Sequence, residues 1–237
     1  MSYKKIDDAF IMAAGRGIRL MPLTKKIPKG MIKYKQSSLI ANGIDKLRKY
    51  IKNIHISVGY KGPILAKHLI EHDVSSIINT NEKGNAWWIF NSVFRKWDKP
   101  IFVLTCDNVT EINFKEIEKD YNRLGCPLCM IIPTKPISGL DGDFIFQNKN
   151  IVNHLSRKKK SNIYCTGIQV LNPQKINLEI KRTNDFNILW KRLIIIKQLY
   201  VSNIMPKNWF TVDDIKSYKI LNRSKKKPLY IKGLNFK

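Results

Sequence analysis

A chain of 237 residues, 43% of them hydrophobic, is long enough to bury a substantial core and is ordinary in composition for a globular protein. Its 43 lysines and arginines against 18 acidic residues give a net charge of +25, which admits nucleic acid, an anionic membrane surface or polyanionic small molecules as partners. That charge is spread along the chain, with runs only at 157–160 and 223–227, so nucleic-acid binding is the minority reading; no run nears the roughly 18 apolar residues of a membrane span, the first ten residues lack a signal-peptide core, and four cysteines do not make a disulfide framework at this length. The expectation is a cytoplasmic protein without membrane insertion.

In chain order, residues 9–13 are apolar, as the first buried strand of an α/β domain would be. The chain then breaks into Gly15-Arg16-Gly17-Ile18-Arg19. Two glycines two apart allow a tight turn whose N–H groups can face phosphate oxygens. Arg19 adds a guanidinium fork suited to phosphate, and Lys29, after Pro28, adds a point charge on a stiffened segment. Together they suggest a nucleoside triphosphate site. A dinucleotide fingerprint fails because Leu20 stands at its third glycine, and no Walker loop is present.

Residues 38–50 place Leu39, Ile40, Ile44 and Leu47 at helical spacing. A strand follows at 54–58, then a helix over 62–72 with Ile64, Leu65, Leu69 and Ile70 as its buried stripe, then a short strand at 76–79. This alternation argues for a mostly parallel sheet with ligands at the carboxyl ends of its strands. Gly84-Asn85-Ala86 opens an apolar helix running to about Trp97, with Trp87 and Trp88 as core. The strand 100–105 delivers Cys106-Asp107-Asn108, and a carboxylate at that exit is either a turn cap or a hard oxygen ligand for Mg²⁺. A helix over 114–124, with Ile117 and Tyr121 inward, and a strand at 128–133 complete the first half.

From about 134 the pattern changes. A turn at 138–143 leads to a hairpin around Asn148-Lys149-Asn150, a basic loop at 156–161 and a strand at 162–171. A helix at 184–193, capped by Asn184 or Asp185, precedes an apolar segment at 194–200. Asp213 and Asp214 then stand where a helix would start, and a basic tail closes the chain. Cys126 and Cys129 have CxxC spacing without a second pair, and His68 and His72 lack the glutamate of a metal-binding HExxH.

The stretch from Ala13 to Thr24, followed by Pro28-Lys29, resembles the signature of the sugar-phosphate nucleotidylyltransferases, roughly A-(A/G)-G-x-G-(T/S)-R-L-x-P-L-T…P-K, with Ile18 in place of a small hydroxyl residue. The resemblance extends over nearly the whole chain. It implies an α/β fold: a Rossmann-like, mostly parallel mixed sheet flanked by helices. It implies one domain over 1–237, with a nucleotide-binding half to about 133 and an acceptor-binding half from about 134. By resemblance, Ala13, Ala14, Gly15, Gly17, Arg19, Lys29, Gly84 and Asn85 bind nucleotide, and Arg19, Lys29 and Asp107 are catalytic. Asp107, in a segment similar to the family's L-x-G-D, holds Mg²⁺ as cofactor together with an acidic residue near 208–214. One alignment there gives Asp213; another puts Thr211 at that place and removes the ligand. Gly167, in a segment resembling N-x-G-I/L-Y-V-F-N-P, contacts the acceptor, with Lys158 and Lys159 as candidates for its phosphate.

The implied reaction joins an NTP to a sugar 1-phosphate, giving an NDP-sugar and pyrophosphate. Nucleotide-sugar biosynthesis for cell-surface polysaccharide is the implied setting, and a homo-oligomer is left open. Two other readings stay open: a cytidylyltransferase acting on phosphocholine or another small phosphorylated acceptor, and a non-catalytic nucleotide-binding module of the same fold.

Overall fold

The computed structural model describes residues 3–137, 140 and 142–223. Strand β1 (Asp8–Met12) is followed, after the signature loop, by a short antiparallel pair, β2 (Lys33–Tyr34) and β3 (Ser37–Ser38). Helix α1 (Leu39–Leu47) starts at Ser38, whose hydroxyl accepts from the Ala41 N–H, and buries Leu39, Ile40, Ile44 and Leu47 as their spacing predicts. Next come β4 (Asn53–Val58), α2 (Gly62–Ile70), β5 (Ser76–Asn79), α3 (Trp87–Asn91), β6 (Ile101–Thr105), β7 (Asn108–Glu111), α4 (Phe114–Arg123) and β8 (Cys129–Thr134). The remainder contains β9 (Phe144–Asn148), β10 (Ile151–Ser156), β11 (Tyr164–Leu171), α5 (Pro173–Glu179), α6 (Phe186–Ile195), β12 (Leu199–Val201), β13 (Asn208–Thr211) and α7 (Ile215–Arg223).

Among the described residues, nine strands form one mixed sheet in the order β5-β4-β1-β6-β11-β8-β12-β10-β9. The β5-β4-β1-β6 side is parallel, with Phe10 of β1 opposite His55 of β4 and Val103 of β6. Strand β11 is antiparallel to both β6 and β8, so a strand from late in the chain separates two from its first half. Strands β7 and β13 form a separate antiparallel pair.

Alternation along β1 divides the core. Ala9 and Ile11 join α1 residues Ile40 and Ile44 on one face, while Phe10 joins Trp88 and Phe94 on the other. The Phe10 and Trp88 rings stack with centroids 3.8 Å apart. A third cluster, including Leu20, Ile32, Val109, Phe210, Val212 and Leu221, ties the signature loop to β7, β13 and α7. No helix among the described residues is long and apolar enough to cross a membrane.

Three expectations are corrected. Of the expected stripe in α2 only Leu65 and Leu69 are buried; Ile64 and Ile70 are 43% and 71% exposed, because a short helix lying on one sheet face buries a narrow stripe. The helix expected to reach Trp97 stops at Asn91, and a 3₁₀ turn spans Val93–Lys96. Ser92 makes the break: its backbone is extended, and its hydroxyl donates to the Trp88 carbonyl and accepts from the Phe94 N–H. Trp88 is core, but Trp87 is only partly buried, with the Lys83 ammonium 6.0 Å from its ring centroid. Of the expected turn at 138–143, residues 138, 139 and 141 lie outside the described residues, as does the tail from 224.

Candidate active site

The loop after β1 is shaped by Gly17. Its φ of 62° is left-handed, and a Cβ there would stand 3.0 Å from Thr24 Cγ2 and 3.1 Å from Lys29 Cβ. Glycine therefore lets residues 18–29 fold back against the turn, where the Thr24 hydroxyl donates to the Gly17 carbonyl at 2.9 Å. Leu20 is buried in the third cluster, and beside it Arg19 projects from the 3₁₀ turn Ile18–Leu20. Pro28 leads into a second 3₁₀ turn, Lys29–Met31, which aims Lys29 inward.

Two carboxylates meet that lysine. Asp107 follows β6, and Asp213 lies between β13 and α7. Pairing of Asn108 with Thr211, and a 3.2 Å hydrogen bond from the Val212 N–H to the Asp107 carbonyl, bring these distant segments together. Lys29 Nζ donates to Asp107 Oδ2 and, at 3.1 Å, to Asp213 Oδ1. The Arg19 guanidinium is 3.4 Å from Asp213 Oδ1. The side chains of Lys29, Asp107 and Asp213 are 13%, 9% and 30% exposed. Asp214 serves the helix instead, accepting from the Ser217 N–H at 2.7 Å. Thr211 donates its hydroxyl to Asp213 Oδ2 at 3.3 Å.

Burial works against both charges of the central pair, and their mutual attraction overrides it. Lys29 is held above the ordinary lysine value, chiefly by Asp107, and Asp107 is held below the ordinary carboxylate value, chiefly by Lys29. Burial pushes the neighbouring Cys106 thiol up to about 12, so it is neutral. Among the described residues no three His, Cys, Asp or Glu side chains converge. The donor set is therefore two hard carboxylates, which suits Mg²⁺, an ion commonly held by one or two carboxylates plus substrate phosphates and water.

A cleft of about 670 Å³ opens past the end of β1, lined by Ala14 and Gly15 of the loop and by Gly84 and Asn85; Arg19, Lys29, Asp107 and Asp213 do not line it. No heavy atom lies within 4 Å of where a Gly15 Cβ would be, so the space there is open to a ligand. Gly84 has a different reason: its Cβ would stand 1.9 Å from the Asn184 carbonyl oxygen. Asn85 Oδ1 already accepts from the Phe186 N–H at 2.9 Å, so residues 84–85 are latched to the start of α6. Ala13 lies behind the cleft, buried, with its N–H given to Ser57 Oγ at 3.2 Å. Sequence reasoning missed Arg16, Tyr60, Lys61 and Lys83, which also line this cleft. The Arg16 guanidinium sits 5.5 Å from the Tyr60 ring centroid. Tyr60 and Lys61 stand just past β4, a carboxyl end beside β1, and that position was the available signal.

Gly167, with φ of 80°, lies in a bulge of β11 between Cys165 and Gln169, facing Thr105. The indole N–H of Trp209 braces the bulge, donating to the Thr166 carbonyl at 3.1 Å and to Asn108 Oδ1 at 3.0 Å. The structure does not bring Lys158 and Lys159 to this group. Their backbone N–H groups cap the exposed end of β10 through Ser156 Oγ, the Lys159 ammonium lies 5.2 Å from the Phe146 ring centroid, and no hydrogen bond or ion pair joins either to Lys29, Asp107, Asp213 or Gly167. A second cavity, about 600 Å³ between α1, β7 and the start of α4, contains none of the expected site residues.

A family profile described as nucleotidyl transferase matches residues 8–140, and the chain belongs to that family. It is 27% identical over 206 residues to a mannose-1-phosphate guanyltransferase of Debaryomyces hansenii, an alignment covering 80% of this chain and 57% of that protein. The chain thus spans little more than half the length of this relative. Among solved structures, a putative glucose-1-phosphate thymidylyltransferase from Bacillus anthracis superposes with a TM-score of 0.76 at 16% identity, covering 97% of each chain. The CTP:phosphocholine cytidylyltransferase from Streptococcus pneumoniae does so with a TM-score of 0.71 at 20% identity, covering 91% of this chain and 97% of that one. These likenesses fix the fold, the nucleotide-diphospho-sugar transferase type of mixed α/β sheet.

Proposed function

We propose that this chain is a sugar-1-phosphate nucleotidylyltransferase, and that GTP with mannose 1-phosphate is the pair to test first, given the name of its relative. The observation that supports this best is the meeting of Asp107 and Asp213 on Lys29, beside Arg19, on the loop that borders an open cleft. An oxygen of the sugar phosphate attacks the α-phosphorus of the NTP, the bond from that phosphorus to the bridging oxygen breaks, and pyrophosphate leaves. Two anions must approach, so positioning and charge neutralisation are what the protein supplies. Arg19 and Lys29 hold the phosphate chain, the Gly15 and Gly84 sides of the cleft take base and ribose, and the Gly167 bulge admits the acceptor. Asp107 and Asp213 would hold Mg²⁺, which supplies further charge neutralisation at the reacting phosphates.

The test is pyrophosphate release with Mg²⁺ across four NTPs and a panel of sugar 1-phosphates, with CTP and phosphocholine included and Asp107→Asn as control. Release with one NTP and one sugar 1-phosphate, lost in the variant, is the expected result. Release only with phosphocholine would move the assignment to a cytidylyltransferase. Nucleotide binding without release from any pair would favour a non-catalytic module.

A further inference from the structure

Two carboxylates cannot both stay ionised in a half-buried site without a positive charge beside them. In this chain the charge is already supplied from within: the Lys29 ammonium donates to Asp107 and, at 3.1 Å, to Asp213. The carboxylates are fixed independently of it. The Asp107 carboxylate accepts from Asn108 Nδ2 at 3.3 Å and its backbone carbonyl from the Val212 N–H, while Asp213 is held by the Thr211 hydroxyl on its side chain and the Ser217 hydroxyl on its backbone N–H. The base of Lys29 is fixed too, in the 3₁₀ turn after Pro28 and packed against Gly17. The ammonium end of Lys29 is what the carboxylates hold, and the Arg19 guanidinium, 3.4 Å from Asp213, is a second cation at the same place for a phosphate chain to meet.

We infer that Lys29 is the resident counter-ion of the Asp107–Asp213 pair, that it and a divalent cation exclude one another there, and that nucleotide phosphates open the site to the cation by drawing the ammonium away. Lys29 is then more than a phosphate ligand: it couples nucleotide binding to cation binding. Without nucleotide, the ammonium offsets one of the pair's two negative charges and keeps the cation out. With nucleotide, the phosphates take over the ammonium and the two freed carboxylates become ligands. The carboxylate pair exchanges a monovalent partner for a divalent one, and the ammonium's charge passes to the phosphates. The inference rests on the proposed reaction only in taking the ligand to be a nucleotide.

The test needs no substrate. Mn²⁺ is titrated into the 237-residue chain without nucleotide, and free Mn²⁺ is read by electron paramagnetic resonance. Wild type should bind weakly. Lys29→Met should bind roughly ten- to a hundredfold more tightly, the usual span of a site-to-site coupling. Lys29→Arg, which keeps the cation, should stay weak. Adding Asp213→Asn to Lys29→Met should remove the gain, placing the bound ion between these two carboxylates. Lys29→Gln, which keeps a hydrogen-bond donor, is the second neutral variant should methionine unsettle the fold. Equal Mn²⁺ affinity in wild type and the folded neutral variant, or a gain that survives Asp213→Asn, would overturn the inference. Failure of pyrophosphate release with every substrate pair would count against the proposed reaction alone and leave the Mn²⁺ result standing.

Discussion

Replacing Asp107 by asparagine keeps the side chain's shape and removes the charge that Lys29 faces. By analogy with loss of a charge-stabilising donor, the variant should lose about 10² to 10³ in kcat for pyrophosphate release. Lys29 retains Asp213, so the variant should still fold, and rates measured well below its unfolding temperature separate chemistry from stability. Gly84 makes a different demand. A methyl group there collides with backbone, the Asn184 carbonyl, which cannot rotate aside. Gly84→Ala should cost about 1–3 kcal/mol in urea denaturation, the usual range for overpacking. It should also spread the latch between residues 84–85 and α6, weakening nucleotide binding. The glycine was legible in the sequence as a helix-start position; that the neighbour which demands it is the chain itself was not, because residue 184 is a hundred positions away.

Strands β1 and β4 are joined by more than their ladder. Asp8 accepts from Asn53 Nδ2 at 2.9 Å and pairs with His55 Nε2 at 3.3 Å, buried at the sheet's edge of entry. Burial alone would raise the Asp8 pKa; the His55 and Asn53 hydrogen bonds more than offset it, and the net shift is downward. A carboxylate depressed on folding adds stability that is fully present above its unfolded value and lost as pH falls through its folded one. Asp8→Asn should therefore cost about 1–3 kcal/mol at neutral pH, as loss of a buried charged hydrogen-bond partner does. The difference in urea midpoint between wild type and variant should narrow below the ordinary aspartate value of 3.8. A gap that stays constant from neutral pH to below that value would show that Asp8 is not a charged partner in the fold. The same element scale explains α3: its apolar run reads as one long helix, but Ser92 offers the backbone a competing set of hydrogen bonds and ends it.

Across the whole molecule, the sheet order matters more than the division at about residue 134. Strand β11 lies between β6 and β8, with Val170 opposite both Phe102 and Met130. Removing residues beyond 133 would expose the edge of β6 and leave Asp107 without Val212 and Asp213. A 1–133 fragment should accordingly be poorly soluble or unfolded, while the full chain should lose tryptophan fluorescence and far-UV circular dichroism in one coincident urea transition. A soluble, cooperatively folding fragment would show that the first half is autonomous.

Strands β1, β4, β5, β6, β8 and β11, the helix at 39–47 and the signature loop were written locally: each depends on periodicity, a cap or a glycine within a few residues, so the sequence by itself determined them and, through the resemblance, the family. It also singled out Arg19, Lys29 and Asp107 as candidates, the first two in the signature loop after β1 and the third at the exit of β6, and the structure brings Lys29 onto Asp107 and both Lys29 and Arg19 to Asp213. The sequence could not decide between Thr211 and Asp213, since spacing alone does not say which way a loop side chain points. The tertiary structure, through the β7–β13 pairing, brings Asp213 to Lys29 and turns Asp214 to cap α7. It moved Lys158 and Lys159 away from the site, and brought Tyr60, Lys61 and Arg16 to the cleft, by placing the end of β4 beside the end of β1. These outcomes depend on contacts between residues tens to more than a hundred positions apart, and such contacts exist only once the sheet has ordered its strands.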